Sequence, residues 1–301
     1  MTYRDFLAAK AAELRRRQIG SDDTAFLDVS LILAHCLGIP RTQLLMKYPE
    51  TIAAGGIPPA FEEAWTRRLA GESVAYIVGA KEFFGRDFLV DRRVLVPRPD
   101  TETLVSAALE VGDAMTRDGR GRSGQGRSSQ GRPGHALRLH DLCTGSGAVA
   151  ISVVAERPAW SVSASDISAD ALDLARVNAS RLLKKELPLL LADLLAGLEG
   201  PFDIITANPP YVPTGETAAL LSQGWNEPAL ALDGGPDGLD IVSRLVRQAG
   251  AVLAPGGFLL IETDALQSES LRVMFKREGF SDIRVWRDLA GLERITGARR
   301  P

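Results

Sequence analysis

The feature that most constrains the fold of this 301-residue chain is a regular alternation of strand-like and helix-like segments after residue 135. Apolar strand-like runs are predicted at 136–142, 161–165, near 189, and at 202–206, 257–262 and 283–286. Helical patterns fill the intervals, one ending near 157 and others spanning 169–183, 239–253 and 266–278. This alternation predicts an α/β fold with a mostly parallel sheet and helices on both faces, closed by an antiparallel hairpin through 292–296.

Three further segments precede or interrupt this pattern. Residues 1–72 repeat apolar side chains at helical spacing and predict a small helical N-terminal domain. Residues 73–97 predict a β-hairpin linker to the main domain, 98–301, which opens with a helix from about Thr101 to about Met115. Residues 117–135 hold Gly, Ser, Arg and Gln without a large apolar side chain, and predict a flexible basic insertion to which we assign no function.

Composition excludes several classes of protein. A formal net charge of −3 and a pI near 5.8 disfavour a protein that coats nucleic acid over a broad face. Cys36 and Cys143 lie far apart and outside any CxxC, and the three histidines lack ligand spacing, so neither a disulfide framework nor a metal site is expected. No signal-peptide core and no apolar run of about 20 residues is found, so we expect a cytoplasmic protein outside the membrane.

A glycine loop follows the first predicted strand of the α/β region. Gly145 and Gly147 permit a tight turn and close approach of a ligand, and Asp166 ends the next strand, 21 positions beyond Gly145. A carboxylate there can accept hydrogen bonds from both ribose hydroxyls. The loop lacks GxGxxG and GxxxxGK[ST], which disfavours a dinucleotide and a nucleoside triphosphate, and S-adenosylmethionine fits. Asp193 is placed to contact the adenine amino group, and a plain turn or cap role is equally compatible.

A second candidate site is the tetrapeptide Asn208, Pro209, Pro210 and Tyr211, which follows the fourth strand. The prolines stiffen the backbone and leave carbonyl acceptors without N–H donors. With the Asn208 side-chain oxygen they can hold a planar group that carries an NH₂, while Tyr211 packs on its face. This pattern predicts that an amide or aniline-like nitrogen is held beside a methyl donor. A rigid turn without chemical meaning is the alternative.

Five segments, taken together, carry a more specific pattern. They are VLVPRPDTE at 94–102, DLCTGSG at 141–147, NPPYVP at 208–213, EPALALDGGPDGLD at 227–240 and DLAG at 288–291. In this order they resemble the release factor glutamine methyltransferases, the PrmC/HemK family, over nearly the whole chain. The resemblance implies a Rossmann-like class I methyltransferase sheet that uses S-adenosyl-L-methionine and releases S-adenosyl-L-homocysteine.

The resemblance also implies a substrate and a set of site residues. The substrate would be the N5 amide of the glutamine in the Gly-Gly-Gln motif of class-1 peptide chain release factors, docked with help from the N-terminal domain of a monomeric enzyme. Asn208, Pro209, Pro210 and Tyr211 would hold that glutamine, and the 97–99 segment would lie near the cleft. Residues matching the family's cofactor site are Cys143, Thr144, Gly145, Ser146, Gly147, Asp166, Asp193, Leu194 and Asn208.

The chain departs from the family pattern at three places. Cys143 stands where glycine is common, and Leu194 replaces an aromatic residue that often follows the acid. The sequence Ile-Glu-Thr-Asp at 261–264 replaces the usual Glu-x-Gly after the fifth strand. Arg98 and Glu102 of the 94–102 segment have a second interpretation, as a structural ion pair.

Three alternative functions stay open at this point. A ribosomal-protein glutamine methyltransferase would share the tetrapeptide, but the Pro-Asp-Thr-Glu at 99–102 favours release factors. An N6-adenine or N4-cytosine nucleic-acid methyltransferase would need base flipping and a basic track, and this mildly acidic chain offers no added recognition domain, so no direct nucleic-acid contact is expected. A non-catalytic S-adenosylmethionine-binding protein is disfavoured because Asn208 and Asp166 are both intact.

Overall fold

The computed structural model describes residues 1–121 and 136–301. The chain divides into two compact units, one formed by Met1–Ala80 with Ala219–Asn226 and the other by Lys81–Ala218 with Glu227–Pro301. No helix in the described residues is long and apolar enough to cross a membrane.

The first unit is helical, as predicted for residues 1–72. Its helices are α1 (Tyr3–Arg16), α2 (Ala25–Leu37), α3 (Arg41–Met46), α4 (Ala60–Leu69) and α5 (Val74–Val78). The side chains of Thr2 and Asp5 form a reciprocal capping box at the start of α1. Buried residues from α1, α2 and α4, among them Leu7, Leu33 and Phe61, form one apolar core.

The predicted hairpin begins later than expected. The apolar run at 75–78 belongs to helix α5, which ends at Gly79 with a left-handed φ of 75°. The run is too short to show a strand or a helix period. A buried strand and a buried helical turn also have similar apolar composition, so the sequence does not distinguish them here. The hairpin itself consists of β1 (Ala80–Phe83) and β2 (Arg86–Leu89).

The second unit contains the predicted α/β sheet. Its strands are β3 (Arg138–Leu142), β4 (Ser161–Asp166), β5 (Leu189–Leu191), β6 (Phe202–Ala207), β7 (Leu253–Glu262), β8 (Ser281–Arg287) and β9 (Glu293–Arg299), in the spatial order β5-β4-β3-β6-β7-β9-β8. The first five strands in that order run parallel, and β9 runs antiparallel to both β7 and β8. The Rossmann-like α/β prediction and its closing hairpin are therefore confirmed.

Five helices of the described residues accompany this sheet, namely α6 (Glu102–Gly121), α7 (Ala148–Glu156), α8 (Ala169–Leu182), α10 (Asp240–Val252) and α11 (Ser268–Arg277). A further helix, α9 (Thr214–Ser222), is divided between the two units. Helix α9 has no counterpart in the sequence prediction. Adjacent residues of β6 enter different apolar clusters, Ile204 with side chains of α6 and α7, and Ile205 with those of α10 and α11. Because strand side chains alternate, the two clusters lie on opposite faces of the sheet.

Helix α6 is longer than the sequence predicted. Its expected end was near Met115, but it continues through Gly121. Residues 117–121, which we assigned to a flexible basic insertion, are therefore helical. The rest of that predicted insertion, 122–135, lies outside the described residues.

The order of the strands fixes the place of a ligand site. Strand β3 lies between β4 and β6, so the chain reverses its direction of winding at β3. In parallel α/β sheets ligands bind at such a switch point, outside the carboxyl ends of the strands. The register aligns Leu142 with Ser165 and with Ala207, and Ala207 with Ile261. Residues that follow these four ends therefore share one edge of the sheet.

Candidate active site

Two adjoining cavities open at this edge of the sheet. The larger encloses about 890 Å³, open solvent included, and its lining includes Asp166 and residues 143–146. The smaller encloses about 510 Å³ on the same basis. Five residues line both cavities, namely Cys143, Asp166, Ile167, Pro210 and Leu230. The two cavities are therefore neighbours across a shared wall.

The glycine loop lines the larger cavity. Gly145 and Gly147 have φ of 54° and 82°, in the left-handed region that favours glycine. A Cβ on Gly147 would lie 2.9 Å from Cδ1 of Ile151, so helix α7 leaves no room for a side chain there. The Thr144 N–H donates to the Ser165 carbonyl across 3.1 Å and ties the loop to β4. The sequence prediction of a tight turn at this loop is confirmed.

Cys143 has a physical explanation for its departure from glycine. Its φ of 54° lies in the same left-handed region, which is why glycine suits this position. The cysteine is half-buried and packs against an apolar cluster. Burial raises the pKa of its thiol, and the negative charges of Asp166 and Asp141 add to the effect. The thiol is therefore neutral at pH 7 and is not a nucleophile.

Asp166 joins β4 to the glycine loop. Its Oδ2 accepts a hydrogen bond from the Gly145 N–H at 2.9 Å, and its Oδ1 accepts one from the Ser168 N–H at 3.0 Å. Burial raises the pKa of this carboxyl, and these backbone hydrogen bonds oppose the rise. Each carboxylate oxygen can accept more than one hydrogen bond. The carboxylate is thus held rigidly at the shared wall while it retains capacity for a ligand.

Asp141 is a residue of this site to which sequence reasoning gave no role. It lies beneath the loop, where it accepts hydrogen bonds from Oγ1 of Thr144 at 2.6 Å and Oγ1 of Thr206 at 2.7 Å. Burial raises the pKa of Asp141 to about 6. It begins the DLCTGSG segment, and a buried acid directly before a glycine loop is the signal that would have identified it.

Asp193 and Leu194 lie at the smaller cavity and not at the larger one. Asp193 has a side chain that is 48% exposed and forms an ion pair with Nη2 of Arg244 at 2.7 Å. Leu194 is buried, with a left-handed φ of 52°. The structure therefore places these two residues beyond the shared wall, on the side away from the glycine loop.

The tetrapeptide 208–211 is only partly at the cleft. Asn208 and Pro210 line the larger cavity, whereas Pro209 is buried and Tyr211 lines neither cavity. The Tyr211 carbonyl accepts a hydrogen bond from Nε2 of Gln267 at 2.9 Å, and burial raises the pKa of the Tyr211 phenol.

The glycine-rich loop at 233–238 supports the tetrapeptide from behind. The Val212 N–H donates to the Leu232 carbonyl and the Gly234 N–H to the Val212 carbonyl, each at 2.9 Å. A Cβ on Gly234 would lie 2.7 Å from the Pro210 carbonyl oxygen. Glycine is required at 234 because two backbones approach this closely. The Pro210 carbonyl therefore lies against this loop.

The 94–98 segment forms a wall of the larger cavity, as the resemblance implied for 97–99. Arg98 forms an ion pair with Glu227, whose Oε1 also accepts a hydrogen bond from the Val96 N–H at 2.9 Å. Glu102 instead accepts from the Phe84 N–H at 2.9 Å. The suggested Arg98–Glu102 pair is therefore wrong. Glu227 occupies the position beside Arg98, and 129 residues of chain separation hid this partner from sequence reasoning.

Thr101 and Glu262 are two further residues that sequence reasoning missed. Nδ2 of Asn208 donates to Oγ1 of Thr101 at 3.2 Å, and the Thr101 hydroxyl donates to Oε1 of Glu262 at 3.0 Å. Both residues are buried. Farther along, Asp264 caps the turn Ala265–Gln267 with its side chain, so the departure at 261–264 forms a cap and lines neither cavity.

Two family models match the chain. The model described as the PrmC N-terminal domain matches residues 7–79, and the model described as the methyltransferase small domain matches residues 131–229. A release factor glutamine methyltransferase from Deinococcus radiodurans is 37% identical over 303 residues, which cover 100% of this chain and 99% of that one. The protein of the same name from Bradyrhizobium diazoefficiens is 36% identical and covers 96% and 92%.

One solved structure shows the fold independently. The hMettl16 catalytic domain, solved in complex with the MAT2A 3'UTR hairpin 1, aligns with a TM-score of 0.54 at 15% identity, over 86% of this chain and 90% of that one. At this identity the likeness concerns the fold alone. The full-length matches at over a third identity decide the family. The chain is a methyltransferase and belongs to the release factor glutamine methyltransferase family.

Proposed function

We propose that this chain methylates the N5 amide nitrogen of the glutamine in the Gly-Gly-Gln motif of class-1 peptide chain release factors, with S-adenosylmethionine as the methyl donor. One observation carries the proposal. Asn208, with its amide nitrogen held by Thr101, lines the same cavity as the glycine loop and Asp166. The side-chain amide of Asn208 and a loop suited to a nucleoside therefore line the same cavity.

The residues at the cavity fit S-adenosylmethionine. Nothing lies within 4 Å of a Cβ built on Gly145, so the loop leaves open space for a ligand against its backbone. Asp166 would accept hydrogen bonds from the ribose hydroxyls, and residues 143–147 would line the methionine moiety. Asp193 and Leu194, at the adjoining cavity, would contact the adenine. The bound cofactor supplies a methyl group activated by a positively charged sulfonium.

The protein's own contribution at the substrate is to position and polarise a weak nucleophile. An amide nitrogen attacks poorly because its lone pair is delocalised into the carbonyl. The Asn208 side-chain oxygen and a proline carbonyl of the tetrapeptide would each accept one N–H of the glutamine amide. These acceptors return electron density to nitrogen and fix its orientation, so positioning and fixed dipoles supply the catalysis.

Methyl transfer would form an N–C bond at the glutamine nitrogen and break the methyl–sulfur bond, whose electron pair would stay on the sulfur of S-adenosylhomocysteine. The amide nitrogen then carries an extra proton, which makes it a strong acid. Water in the open cleft can take this proton, so no dedicated base is required. We expect the rate of transfer to show no requirement for a side-chain base within the cleft.

The release factor itself is the proposed partner. The unit formed by Met1–Ala80 with Ala219–Asn226 includes the residues that match the PrmC N-terminal domain model. We propose that this unit helps to dock the release factor and that the enzyme acts as a monomer. Deleting residues of this unit that contact the release factor would then raise KM for the protein substrate. KM for a short Gly-Gly-Gln peptide would not change.

Radiolabelled methyl transfer tests the proposed function. Purified release factor with Gly-Gly-Gln, the same factor with Gly-Gly-Ala, and duplex DNA are offered to the full chain in parallel. Label on the Gly-Gly-Gln form alone is the expected result. Label on DNA, on both forms of the factor, or on none of the three while the cofactor binds would refute the proposal.

A further inference from the structure

A chain of two hydrogen bonds runs behind Asn208 into the interior of the second unit. It connects Nδ2 of Asn208 to Oγ1 of Thr101 at 3.2 Å and the Thr101 hydroxyl to Oε1 of Glu262 at 3.0 Å. Thr101 is 5% exposed and Glu262 is 1% exposed. Glu262 lines neither cavity, so it acts on the cleft through two side chains that do line it, Thr101 and Asn208.

The chemistry of the three groups gives this chain a direction. An ionised carboxylate only accepts hydrogen bonds, so the single proton of the Thr101 hydroxyl points to Glu262. Thr101 can then only accept from Asn208, which requires the amide nitrogen and not the amide oxygen to face it. The Asn208 oxygen is consequently turned away from Thr101. That oxygen is the acceptor which the proposed substrate amide needs.

Charged and ionisable groups surround Glu262. Burial raises the pKa of Glu262 to about 7 and the charge of Asp100 adds to the rise, while hydrogen bonds from Thr101 and Asn208 and the charge of Arg294 oppose it. Tyr211 also interacts with the Glu262 charge, and Arg98 and Asp264 act on Tyr211. Among the described residues, Oε2 of Glu262 has no hydrogen-bond partner.

We propose that Thr101 and Glu262 are positioning residues that hold the Asn208 side-chain amide with its oxygen, not its nitrogen, presented to the substrate nitrogen. The inference deepens the proposed function and rests on it. A proton on Glu262 reverses the chain, because a protonated carboxyl can donate to Thr101 and release the Thr101 proton to the Asn208 oxygen. The acceptor would then be withdrawn from the cleft.

Thr101→Val tests the chain with a side chain of nearly equal shape that lacks the hydroxyl. We expect kcat for methyl transfer to fall by about tenfold or more, which is the usual effect of removing a hydrogen bond that supports an active-site group. The cofactor Kd should change by about twofold or less. Thr101→Ser keeps the hydroxyl and should restore kcat to within about threefold of the wild type. A Val variant that folds, binds the cofactor and turns over like the wild type would overturn the inference.

Glu262→Gln supplies a second measurement that does not depend on the Val variant. A glutamine oxygen can still accept from Thr101, but it does not titrate. The wild-type kcat should fall by about tenfold as the pH is lowered from 8 to 6 through the Glu262 pKa of about 7, and the Gln variant should lack this fall. An identical acid limb in both proteins would overturn the inference.

Wild-type activity and the activities of the variants distinguish the proposed function from the role of Thr101 and Glu262. Absence of wild-type transfer to Gly-Gly-Gln would remove the proposed function and this inference together. Wild-type transfer combined with unchanged Val and Gln variants would remove the inference alone. A fall in kcat for the Val variant, with rescue by Ser and a flattened acid limb for Gln, supports both.

Discussion

The two halves of the cleft are held together over very different distances in the chain. In the glycine-loop half, Asp166 bonds to Gly145, 21 residues away, and to Ser168, two residues away. In the Asn208 half, the partners are 107 residues apart for Asn208 and Thr101 and 161 residues apart for Thr101 and Glu262. The first half is a local motif, and the second exists only after the sheet has assembled.

The two halves also differ in their access to water. Asp166 is half-buried and lines both cavities, whereas Glu262 is 1% exposed and lines neither of them. A ligand can therefore contact Asp166 directly, but it senses Glu262 only through side chains in between. We expect substitutions in the first half to change cofactor affinity and substitutions in the second half to change turnover.

Among these predictions, Asn208→Ala should have the largest effect, a loss of turnover. Removal of one preorganised group at a reacting centre costs about 100- to 1,000-fold in turnover. Radiolabelled methyl transfer should show this loss, while the cofactor Kd from calorimetry changes by about threefold or less. A loss of cofactor affinity as large as the loss of turnover would show that Asn208 acts mainly in cofactor binding, which would contradict this prediction.

Glu262, in the Asn208 half, should also make the free energy of unfolding depend on pH. Its carboxyl ionises less readily when folded, so between pH 4.5 and about 7 the folded state holds more of this proton than the unfolded state does. The contribution of Glu262 to the free energy of unfolding therefore falls as the pH rises through this window. At about 1.4 kcal/mol for each pKa unit, the total fall is about 3 kcal/mol.

Urea unfolding of the wild type and Glu262→Gln at several pH values measures this effect. The stability of the Gln variant relative to the wild type should increase by about 3 kcal/mol from pH 4 to pH 8, since glutamine does not titrate. A constant difference across this range would show that Glu262 keeps its ordinary pKa in the folded protein.

Asp166 and Asp193 form a matched pair within the cofactor half. Asp166→Ala removes an acceptor at the shared wall, and cofactor affinity should fall by about 10- to 100-fold, the value of hydrogen bonds to a charged group. Asp193→Ala removes a half-exposed carboxylate that already pairs with Arg244, so the fall should be about threefold or less. Equal losses in calorimetry would contradict the assignment of different roles to the two acids.

Cys143→Gly is the smallest expected effect and concerns the backbone alone. Glycine adopts the φ of 54° without steric cost but gives up packing and unfolded-state rigidity. These effects nearly cancel, and we expect a gain of about 0.5 kcal/mol in the free energy of unfolding, measured in urea. A loss above about 2 kcal/mol would show that the cysteine side chain matters more than its backbone conformation.

The different chain separations in the two halves also explain which elements and site residues could be predicted from the sequence. The order of strands and helices was predictable because alternating apolar patterns are local. The glycine loop and Asp166 were predictable for the same reason. Thr101 and Glu262 were not, because only the parallel register of β6 and β7 brings the end of β7 beside Asn208. The Glu227 partner of Arg98 and the helical form of 75–78 escaped for related reasons, since both depend on tertiary context.

Mass spectrometry of the reacted release factor locates the transferred methyl group. After incubation with the full chain and S-adenosylmethionine, the peptide that contains Gly-Gly-Gln is isolated and fragmented. We expect one added methyl group, located on the side-chain nitrogen of that glutamine. A methyl group on any other residue, or an unmodified peptide from an enzyme that binds the cofactor, would contradict this expectation.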